Sequence, residues 1–517
     1  MTIHDLPIKK GITLNLMQIN CLRIVMANSI EELTEVMISI CNFSRNDIGR
    51  ILCEKDFVYM KELAFNIYKA SMLSIFQVRF TEYGYLLKRD YLIEHISKYL
   101  ELSETEKEIL YQAYEETAKY KILNYIRKKL PNKYYDILEF IDNFDLIECD
   151  GLKLTTYDAF IKLSKYIEQY DIINLDNVIK YSSYVKLNGR YNHQRFDVAL
   201  DFVRRMGKKA RLNACLFYMD TPEWVTTLNN GAKSKSIVYN TLSLYINDIT
   251  QHIKEYENKY QINIVETIEV LNEPLINNGQ YKYGRDFVTR KYEYEHSLNK
   301  KSKLKDPNFN PGWLRFLEIE DICKLCTIVR HNLPHVKIMC NEYKLENRNK
   351  AKDFLKYIIE PMLEYEQKNN IKILDVIGTQ CHCSLHTIAC DFEAMFENLS
   401  IVHLPIEITE FDLYLSPDMF DCSSRKDLHM YKSLYMDNIY EIIIKFHKKY
   451  NIQGFTIWSI NDTMNFIVNI LNDDIYRKNQ KLIKQHLRTE KYIGTVFGGY
   501  YDANMNERLQ CPKYRYD

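Results

Sequence analysis

The chain has 517 residues, of which 46% are hydrophobic and 27% charged, a composition typical of globular proteins. This length suits one large domain plus an additional region. The 69 basic and 69 acidic residues give a formal net charge of zero, so the sequence carries no electrostatic signature of binding to nucleic acid or to a membrane surface.

The N-terminal sequence and the cysteines indicate the cellular compartment of the protein. The 13 cysteines, an odd number scattered from Cys21 to Cys511, suit a reducing compartment better than a disulfide scaffold. The apolar stretch after Lys10 is interrupted by polar side chains, Asn15, Gln18, Asn20 and Arg23. It does not resemble a signal peptide, and the sequence has no apolar run of the length that spans a bilayer. We therefore expect a cytoplasmic protein, with secretion as the alternative.

Residues 1–140 are predicted to form an all-helical N-terminal extension. One helix is expected to start at Ser103, which together with Glu106 matches the capping-box pattern, and to end before Pro131. Apolar residues recur there at steps of three and four. No chemical motif occurs in this region, whose role is unknown, so it either packs or binds an unknown protein partner.

Residues 141–517 are predicted to form a (β/α)₈ TIM barrel. Short apolar runs alternate there with amphipathic helices such as "FDVALDFVRRMG", which closes on Gly207. This alternation implies parallel strands, and eight units in roughly 375 residues fit a closed barrel, whose chemistry lies at the C-terminal strand ends. The eight strands are expected near residues 146–149, 172–176, 209–217, 264–271, 336–341, 373–379, 404–409 and 453–458.

Two carboxyl groups are expected to meet at this rim. "IEVLNEPLINNG" ends the predicted fourth strand on Glu273, and "LPIEITEFDLYL" ends the predicted seventh strand on Glu410 and Asp412. Hydrolysis of a glycosidic bond needs one protonated carboxyl group for the leaving oxygen and one ionised group for the anomeric carbon. Different surroundings would have to separate their two pKa values.

Other predicted strands also end in polar or aromatic residues. A histidine at such a position can hold a neighbouring carboxylate ionised, and a tryptophan face can support a sugar ring. Each residue alone is unconvincing, and the weight comes from their common order along the chain. These residues are Asn177 and Lys180 after strand two, Asn341 after strand five, Gln380 and His382 after strand six, and Trp458, Asp462 and Phe466 after strand eight.

Taken together, these motifs resemble glycoside hydrolase family 10, the endo-1,4-β-xylanases, over about residues 143–517. "VLNEP" is similar to the acid/base strand of the family, "IEITEFD" to its nucleophile strand and "IGTQCH" to its Gln-x-His strand. "LDNVIKY", "MDTPEWV", "KIMCNEY" and "GFTIWSINDTMNF" resemble further family segments in the same order.

The resemblance implies a role for each motif residue. Glu273 would be the general acid and then the general base, and Glu410 the nucleophile, with His382 and Asp412 orienting it. The anomeric configuration would be retained, with the two carboxyl groups roughly 5 to 5.5 Å apart. No metal or cofactor is expected. The sugar-binding residues would be Asn177, Lys180, Asn213, Asn272, Gln380, Trp458 and Phe466.

The segment "RLNACLFYMDTPEW" departs from the family pattern although Arg211 and Trp224 match. Asparagine still donates a hydrogen bond but carries no charge, and phenylalanine stacks without an indole donor. The catalytic pair is intact while one wall of the cleft has changed. Asn213 stands for a histidine, Phe217 and Tyr218 for a Trp-His pair, Asp220 for a glutamine, and Phe466 for a second tryptophan.

Three functions remain open at this point: a xylanase that acts on xylan or xylo-oligosaccharides, a related retaining β-glycanase that acts on other oligosaccharides, and a non-catalytic sugar-binding barrel.

Two cysteine patterns could also indicate a metal site or a redox site. Cys323 and Cys326 lie at helical spacing beside apolar residues, which predicts buried small side chains. "CHCSLHTIAC" matches no standard zinc spacing.

Overall fold

The computed structural model describes most of the chain as two compact units. Its described residues are 3–41, 56–76, 100–113, 125–134, 156–186, 189–229, 231–275, 312–384, 389–414 and 425–458, with isolated positions 45, 48, 93, 97, 136 and 137. The barrel unit comprises Met1–Leu16, Lys165–Tyr184 and His193–Asp517, and the helical unit comprises Met17–Ser164 and Val185–Asn192. Each unit is described below by itself.

The barrel unit is a closed ring of eight parallel strands. Each strand pairs with the next along the ring, and the last strand pairs with both the first and the seventh, so the sheet has no free edge. The strands are β1 Lys9–Asn15, β2 Ile172–Asp176, β3 Lys209–Leu212, β4 Val265–Asn272, β5 Lys337–Glu342, β6 Val376–Thr379, β7 Ile406–Tyr414 and β8 Ile452–Ile457. Two short strands, Leu216–Phe217 and His382–Ser384, add to β4 and β7.

The first barrel strand is not where the sequence analysis placed it. We expected it near residues 146–149, which lie outside the described residues, and we expected residues 1–140 to be wholly helical. Instead, Lys9–Asn15 forms β1, which pairs in parallel with β2 and β8. The run "KKGITLN" passes directly into a helix at Leu16. Its alternation of apolar and polar residues is therefore too short to predict a strand.

The other seven predicted strands are confirmed to within a few residues, because each contains an apolar run of strand length. Helices follow the strands as expected of a (β/α)₈ barrel, and the helix that was predicted to close on Gly207 does so with that glycine at φ 64°. The helices are α6 Tyr181–Tyr184, α7 His193–Arg205, α8 Glu223–Thr226, α9 Ala232–Tyr260, α10 Ile319–Asn332, α11 Arg348–Phe354, α12 Glu360–Asn369, α13 Ala389–Leu399 and α14 Arg425–Phe446.

A polar network fills part of the barrel interior, where bulky aliphatic side chains are usual. Arg211 of β3 is 1% exposed, and its guanidinium donates to Asn174 Oδ1 at 3.1 Å, to Thr456 Oγ1 at 3.2 Å and to the backbone carbonyl of Thr409. Gly11 leaves space for the Thr456 side chain that accepts from Arg211, because a Cβ atom on residue 11 would collide with Thr456 Oγ1. The network ties β2, β3, β7 and β8 together beneath the rim.

The helical unit has cores of its own. Phe65 packs against Tyr157 and Phe160 with ring centroids 5.7 and 5.6 Å apart. The Ser103 backbone donates to Glu106 Oε2 at 2.8 Å, which confirms the predicted capping box. The compact helical unit runs to Ser164 and includes Phe160, whereas the predicted boundary at residue 140 lies outside the described residues. Its helices are α1 Leu16–Met26, α2 Ile30–Cys41, α3 Phe57–Phe76, α4 Glu104–Ala113 and α5 Tyr157–Tyr166.

A search of the described helices for a membrane span finds none with the length and apolar character that a bilayer crossing requires.

Candidate active site

Glu273 leaves β4 in a turn that accounts for the abrupt end of the strand. Its φ of 52° is left-handed, and its backbone N–H donates to the Asn341 carbonyl at 3.0 Å. Pro274 follows and has no N–H to continue the ladder, while the N–H of Leu275 donates to Glu342 Oε2 at 2.8 Å. The strand therefore stops at the rim and leaves the Glu273 side chain half-buried there.

Glu410 lies on β7 in a buried site lined by N–H donors. Its side chain is 5% exposed. Oε1 accepts from Asn341 Nδ2 at 2.8 Å and from Asn213 Nδ2 at 3.3 Å, and Oε2 faces His382 Nε2 at 3.3 Å. These N–H groups hold the carboxylate in one orientation, and a carboxylate is the form that attacks a carbon centre.

His382 joins Glu410 to Asp412. The short strand His382–Ser384 pairs with β7 so that His382 lies opposite Asp412, and Nδ1 faces Asp412 Oδ1 at 2.9 Å. Burial opposes a charge on the imidazole, but the carboxylates of Asp412 and Glu410 outweigh burial and raise the pKa of His382 well above its ordinary value. A protonated imidazole donates from both ring nitrogens, and so holds both carboxylates in place.

Two residues connect the two glutamates directly. Asn341 accepts from the backbone N–H of Glu273 and donates its amide to Glu410. Gln380 contacts the same two residues with its groups exchanged. Its side-chain amide donates to Glu273 Oε1 at 3.0 Å, and its backbone carbonyl accepts from the backbone N–H of Glu410 at 3.1 Å. Glu273 and Glu410 therefore share one rim, with one carboxyl group half-buried and the other enclosed by donors. This arrangement suits an acid and a nucleophile.

The predicted sugar-binding residues after β2 lie around an acid that the sequence analysis missed. Asp176, the last residue of β2, accepts from Asn177 Nδ2 at 2.8 Å and from Lys180 Nζ at 2.9 Å. Burial opposes the charge on Lys180, but Asp176, Asp220 and Glu410 outweigh burial and raise its pKa to about 12. The signal that could have identified Asp176 was an acid that ends the run "IINLD", directly before Asn177.

The changed wall after β3 contacts these same groups. Asn213 is buried beside Glu410, as its position in the motif predicts. The Lys180 ammonium lies 5.3 Å from the centroid of the Phe217 ring, and Asp220 Oδ2 accepts from the Ser182 N–H at 3.1 Å. Burial raises the pKa of Asp220 to about 6 against these hydrogen bonds. Two departures from the family pattern, Phe217 and Asp220, therefore contact the segment that carries the predicted sugar-binding residue Lys180.

Of the remaining predicted site residues, Asn272 and Trp458 lie at the rim of the barrel. Asn272 is buried, and its Oδ1 accepts from Gln380 Nε2 at 3.0 Å. Trp458 meets the His382 ring edge to face at 6.1 Å between centroids. Asp462 and Phe466 lie outside the described residues.

A second missed residue is Glu269, which is fully buried inside the barrel four residues before Glu273. Its carboxyl group contacts the amides of Asn213 and Asn341. The signal in the sequence was an acid between Ile268 and Val270 in a run that is otherwise apolar. Strand alternation alone does not reveal that the barrel interior would accept it.

The cysteines of the two sequence patterns that the structure describes are free thiols, most of them buried. Cys323 and Cys326 are buried in α10, as predicted, and burial raises the pKa of both thiols. Cys381 and Cys383 flank His382 and are buried too. Among the described residues, no group of three or more His, Cys, Asp or Glu side chains is arranged to hold a metal ion.

Comparisons with known proteins identify relatives of the barrel part. The model of the family described as "Glycosyl hydrolase family 10" matches residues 153–314 and 320–486. Endo-1,4-beta-xylanase A of Thermoanaerobacterium saccharolyticum is 21% identical over 66% of this chain and 26% of its own length. Exoglucanase XynX of Acetivibrio thermocellus is 20% identical over 63% of this chain and 27% of its own length. This chain thus spans about a quarter of either relative.

A solved structure shares the fold. A mutant of Xylanase10C from Cellvibrio japonicus, in complex with xylopentaose, superposes with a TM-score of 0.51 at 15% identity. The superposition covers 67% of this chain and 61% of that chain. At this identity the likeness concerns the fold, which is the closed eight-stranded barrel described above.

Proposed function

The chain belongs to glycosyl hydrolase family 10, and on that premise we propose that it is a retaining endo-1,4-β-xylanase that cuts internal linkages through a covalent glycosyl-enzyme. The observation that carries the proposal is the double link between the glutamates. Asn341 and Gln380 each contact both Glu273 and Glu410. These contacts hold an acid and a nucleophile at one rim of the barrel.

In the first step Glu410 attacks the anomeric carbon. A bond forms between its carboxylate oxygen and that carbon while the bond from the carbon to the glycosidic oxygen breaks, and Glu273 donates its proton to the departing oxygen. The N–H donors around Glu410 orient its carboxylate before attack, so little reorganisation is needed during the reaction.

In the second step Glu273, now ionised, accepts a proton from water. The water oxygen bonds to the anomeric carbon, the ester bond to Glu410 breaks, and two inversions give net retention. The Glu273 side chain is half-buried, which allows water to reach it. His382 carries a positive charge beside Glu410 and stabilises the carboxylate that leaves.

The surrounding polar groups fit a sugar hydroxyl pattern. We assign Asn272, Gln380 and Lys180 to the sugar at the reacting position, with Trp458 as its platform, Asn213 beside it and Asn177 at the next sugar. Lys180 is held by Asp176 at 2.9 Å, so its ammonium has a fixed direction. Fixed donors bind hydroxyl groups at a smaller entropic cost than free ones. Phe466 stays a predicted ring contact.

A relative is named for exoglucanase activity, which keeps β-glucan oligosaccharides as the second candidate. The cytoplasmic location stays a prediction, and in that compartment short xylo-oligosaccharides would be the substrates, because polymeric xylan does not enter cells. The protein partner of residues 1–140 also stays a prediction.

The test is hydrolysis of matched substrates. The purified full chain is incubated with xylan, xylo-oligosaccharides and cello-oligosaccharides, and new reducing ends are measured over time. We expect turnover of the xylose-based substrates, an initially β-configured product, and loss of turnover in Glu410→Ala and Glu273→Ala.

Each other outcome selects a different function. Turnover confined to cello-oligosaccharides would replace the xylanase by the related β-glycanase. Binding of oligosaccharides without any new reducing ends would leave the sugar-binding barrel. Turnover that survives Glu410→Ala would refute the proposed nucleophile.

A further inference from the structure

Glu269 has no part in the reaction scheme, yet it lies directly behind the nucleophile. It is 0% exposed, on β4 inside the barrel. A buried carboxyl group is costly unless hydrogen bonds compensate for the lost water. Its position therefore requires an explanation in terms of its partners.

Those partners are the two amides that also hold Glu410. Asn213 Nδ2 donates to the two oxygens of Glu269 at 3.1 and 3.0 Å, and Asn341 Nδ2 donates to Oε2 at 3.2 Å. The same two nitrogens lie 3.3 and 2.8 Å from Glu410 Oε1. Each nitrogen carries only two hydrogens, so the two carboxyl groups share a limited set of donors.

The orientation of the Asn341 amide follows from its two ends. Nδ2 faces Glu410 Oε1 at 2.8 Å, and a carboxylate oxygen only accepts, so this end is the donor. At the other end Oδ1 accepts from Thr409 Oγ1 at 2.8 Å. Gly378 leaves room for it, because a Cβ atom there would lie 2.6 Å from Asn341 Oδ1. The amide therefore cannot turn away, and Glu269 and Glu410 lie on the same donor side.

We propose that Glu269 is a positioning residue which, in its neutral form, orients the amides of Asn213 and Asn341 so that both donate to the nucleophile Glu410. The inference rests on the proposed function of Glu410. Glu269 does not touch the reacting atoms in this scheme, and it acts only through the two asparagines.

The charge of Glu269 follows from its surroundings. Burial and the nearby Glu410 carboxylate raise the pKa of Glu269 to about 8, although Arg211 and the amides oppose this. At mildly acidic and neutral pH the group is protonated and adds no second negative charge beside Glu410. An ionised Glu269 would compete for the amide hydrogens and repel the nucleophile.

The kinetic test uses Glu269→Gln and Glu269→Ala with 2,4-dinitrophenyl xylobioside. This leaving group departs without a proton, so the first burst of dinitrophenolate reports attack by Glu410 rather than acid catalysis by Glu273. Glutamine mimics the neutral acid, and we expect its burst rate to stay within about fivefold of wild type. Alanine should lower that rate about 100-fold with KM changed less than about threefold, since a donor contact at a reacting oxyanion has that size.

The matched control is Thr267→Val, two residues earlier on β4. The Thr267 hydroxyl is buried, and no hydrogen-bond partner for it occurs among the described residues. This nearly isosteric change should leave the burst rate unaltered. A glutamine variant as slow as the alanine variant would show that the charge of Glu269 is needed, and an alanine variant as fast as wild type would remove its positioning role. Either result overturns the proposal.

The second readout needs no substrate. A carboxyl group whose folded-state pKa is raised binds a proton that the unfolded chain releases, so its contribution to stability falls as pH rises from about 4.5 towards about 8. We expect the melting temperature of wild type to fall relative to Glu269→Gln across that window. Parallel melting curves would overturn the neutral state of Glu269 whether or not the chain hydrolyses any glycan. A chain that is inactive on every glycan but shows the pH effect would refute the proposed function alone.

Discussion

The two glutamates of the rim differ in almost every aspect of their surroundings. The Glu410 side chain is 5% exposed on a barrel strand and has three side-chain N–H groups around its oxygens. Glu273 lies one residue beyond its strand, in a left-handed turn, half-buried and held at one oxygen by Gln380. One carboxyl group is enclosed by fixed donors, and the other can exchange a proton with water.

This difference shows how one rim can support two kinds of carboxyl chemistry. Donors fixed by strand register surround the carboxylate of Glu410, whereas the strand end closed by Pro274 places Glu273 half-buried at the rim, where Gln380 donates to one of its oxygens. Roles assigned on this basis can be tested separately, because removing each group should alter a different part of the reaction.

The largest effect is expected at Glu410. Glu410→Ala should lower kcat/KM for xylo-oligosaccharides by at least about 10⁴-fold, because no other group forms the covalent intermediate. Added azide should restore turnover of an activated aryl xylobioside and give the α-configured glycosyl azide, since azide enters from the vacant nucleophile side. Product configuration is measured by NMR.

The control for this variant is Glu320→Ala, an exposed acid on α10 whose side chain is 64% exposed. It should behave as wild type. A β-configured azide product from Glu410→Ala would exchange the roles of the two glutamates and break the comparison.

A smaller and substrate-dependent loss is expected at Glu273. Glu273→Ala should lower turnover of xylo-oligosaccharides by about 10³-fold, as for loss of a general acid. The first step with a dinitrophenyl leaving group should fall by only about tenfold, because that group needs no proton. Equal losses with both substrates, measured as burst rates and new reducing ends, would contradict the acid role.

His382 should show an intermediate effect and a pH signature. His382→Gln is expected to lower kcat by about 100-fold, because an oriented charge beside Glu410 is lost. The folded-state pKa of His382 is raised above 6.5, so its contribution to stability is complete below about that pH and is lost as pH rises through the raised value. The difference in melting temperature between wild type and variant should therefore shrink towards alkaline pH.

Asp412→Asn provides the companion to this measurement. It removes the first carboxylate that raises the pKa of His382 and keeps the side-chain shape. The pH at which the stability of the protein changes should move down in this variant. A stability difference for His382→Gln that grows with rising pH would refute the charged state of the imidazole.

Sequence patterns identified the strand ends well because the rim repeats one rule. Strands β2, β4, β5 and β6 end in polar residues, and the sequence places both glutamates at the end of an apolar run of this kind. The first strand escaped because "KKGITLN" is short, starts with two lysines and is separated by 156 residues from β2. No local pattern reveals that residues so far apart in sequence pair in parallel.

The hydrogen bonds inside the barrel could not be predicted from the sequence. Arg211, Glu269 and Asn341 lie where aliphatic side chains are usual, and each is compensated by partners on other strands. Hydrogen bonds between strands depend on register, which a single sequence does not contain. Asp176 lies directly before Asn177 in the sequence, but its hydrogen bonds from Asn177 and Lys180 appear only in the structure.

The smallest effect is expected on the sugar-binding side, at Phe217. The Lys180 ammonium lies 5.3 Å from the centroid of its ring, and a contact of this kind contributes about 0.5–1 kcal/mol at a partly exposed site. Phe217→Leu should therefore raise KM by about two- to fivefold with little change in kcat, and Phe217→Trp should lower KM slightly, because indole has the stronger negative face. A fall in kcat for Phe217→Leu matching the rise in KM would mean that this wall acts on Glu410 itself, and the separation between binding side and catalytic pair would have to be abandoned.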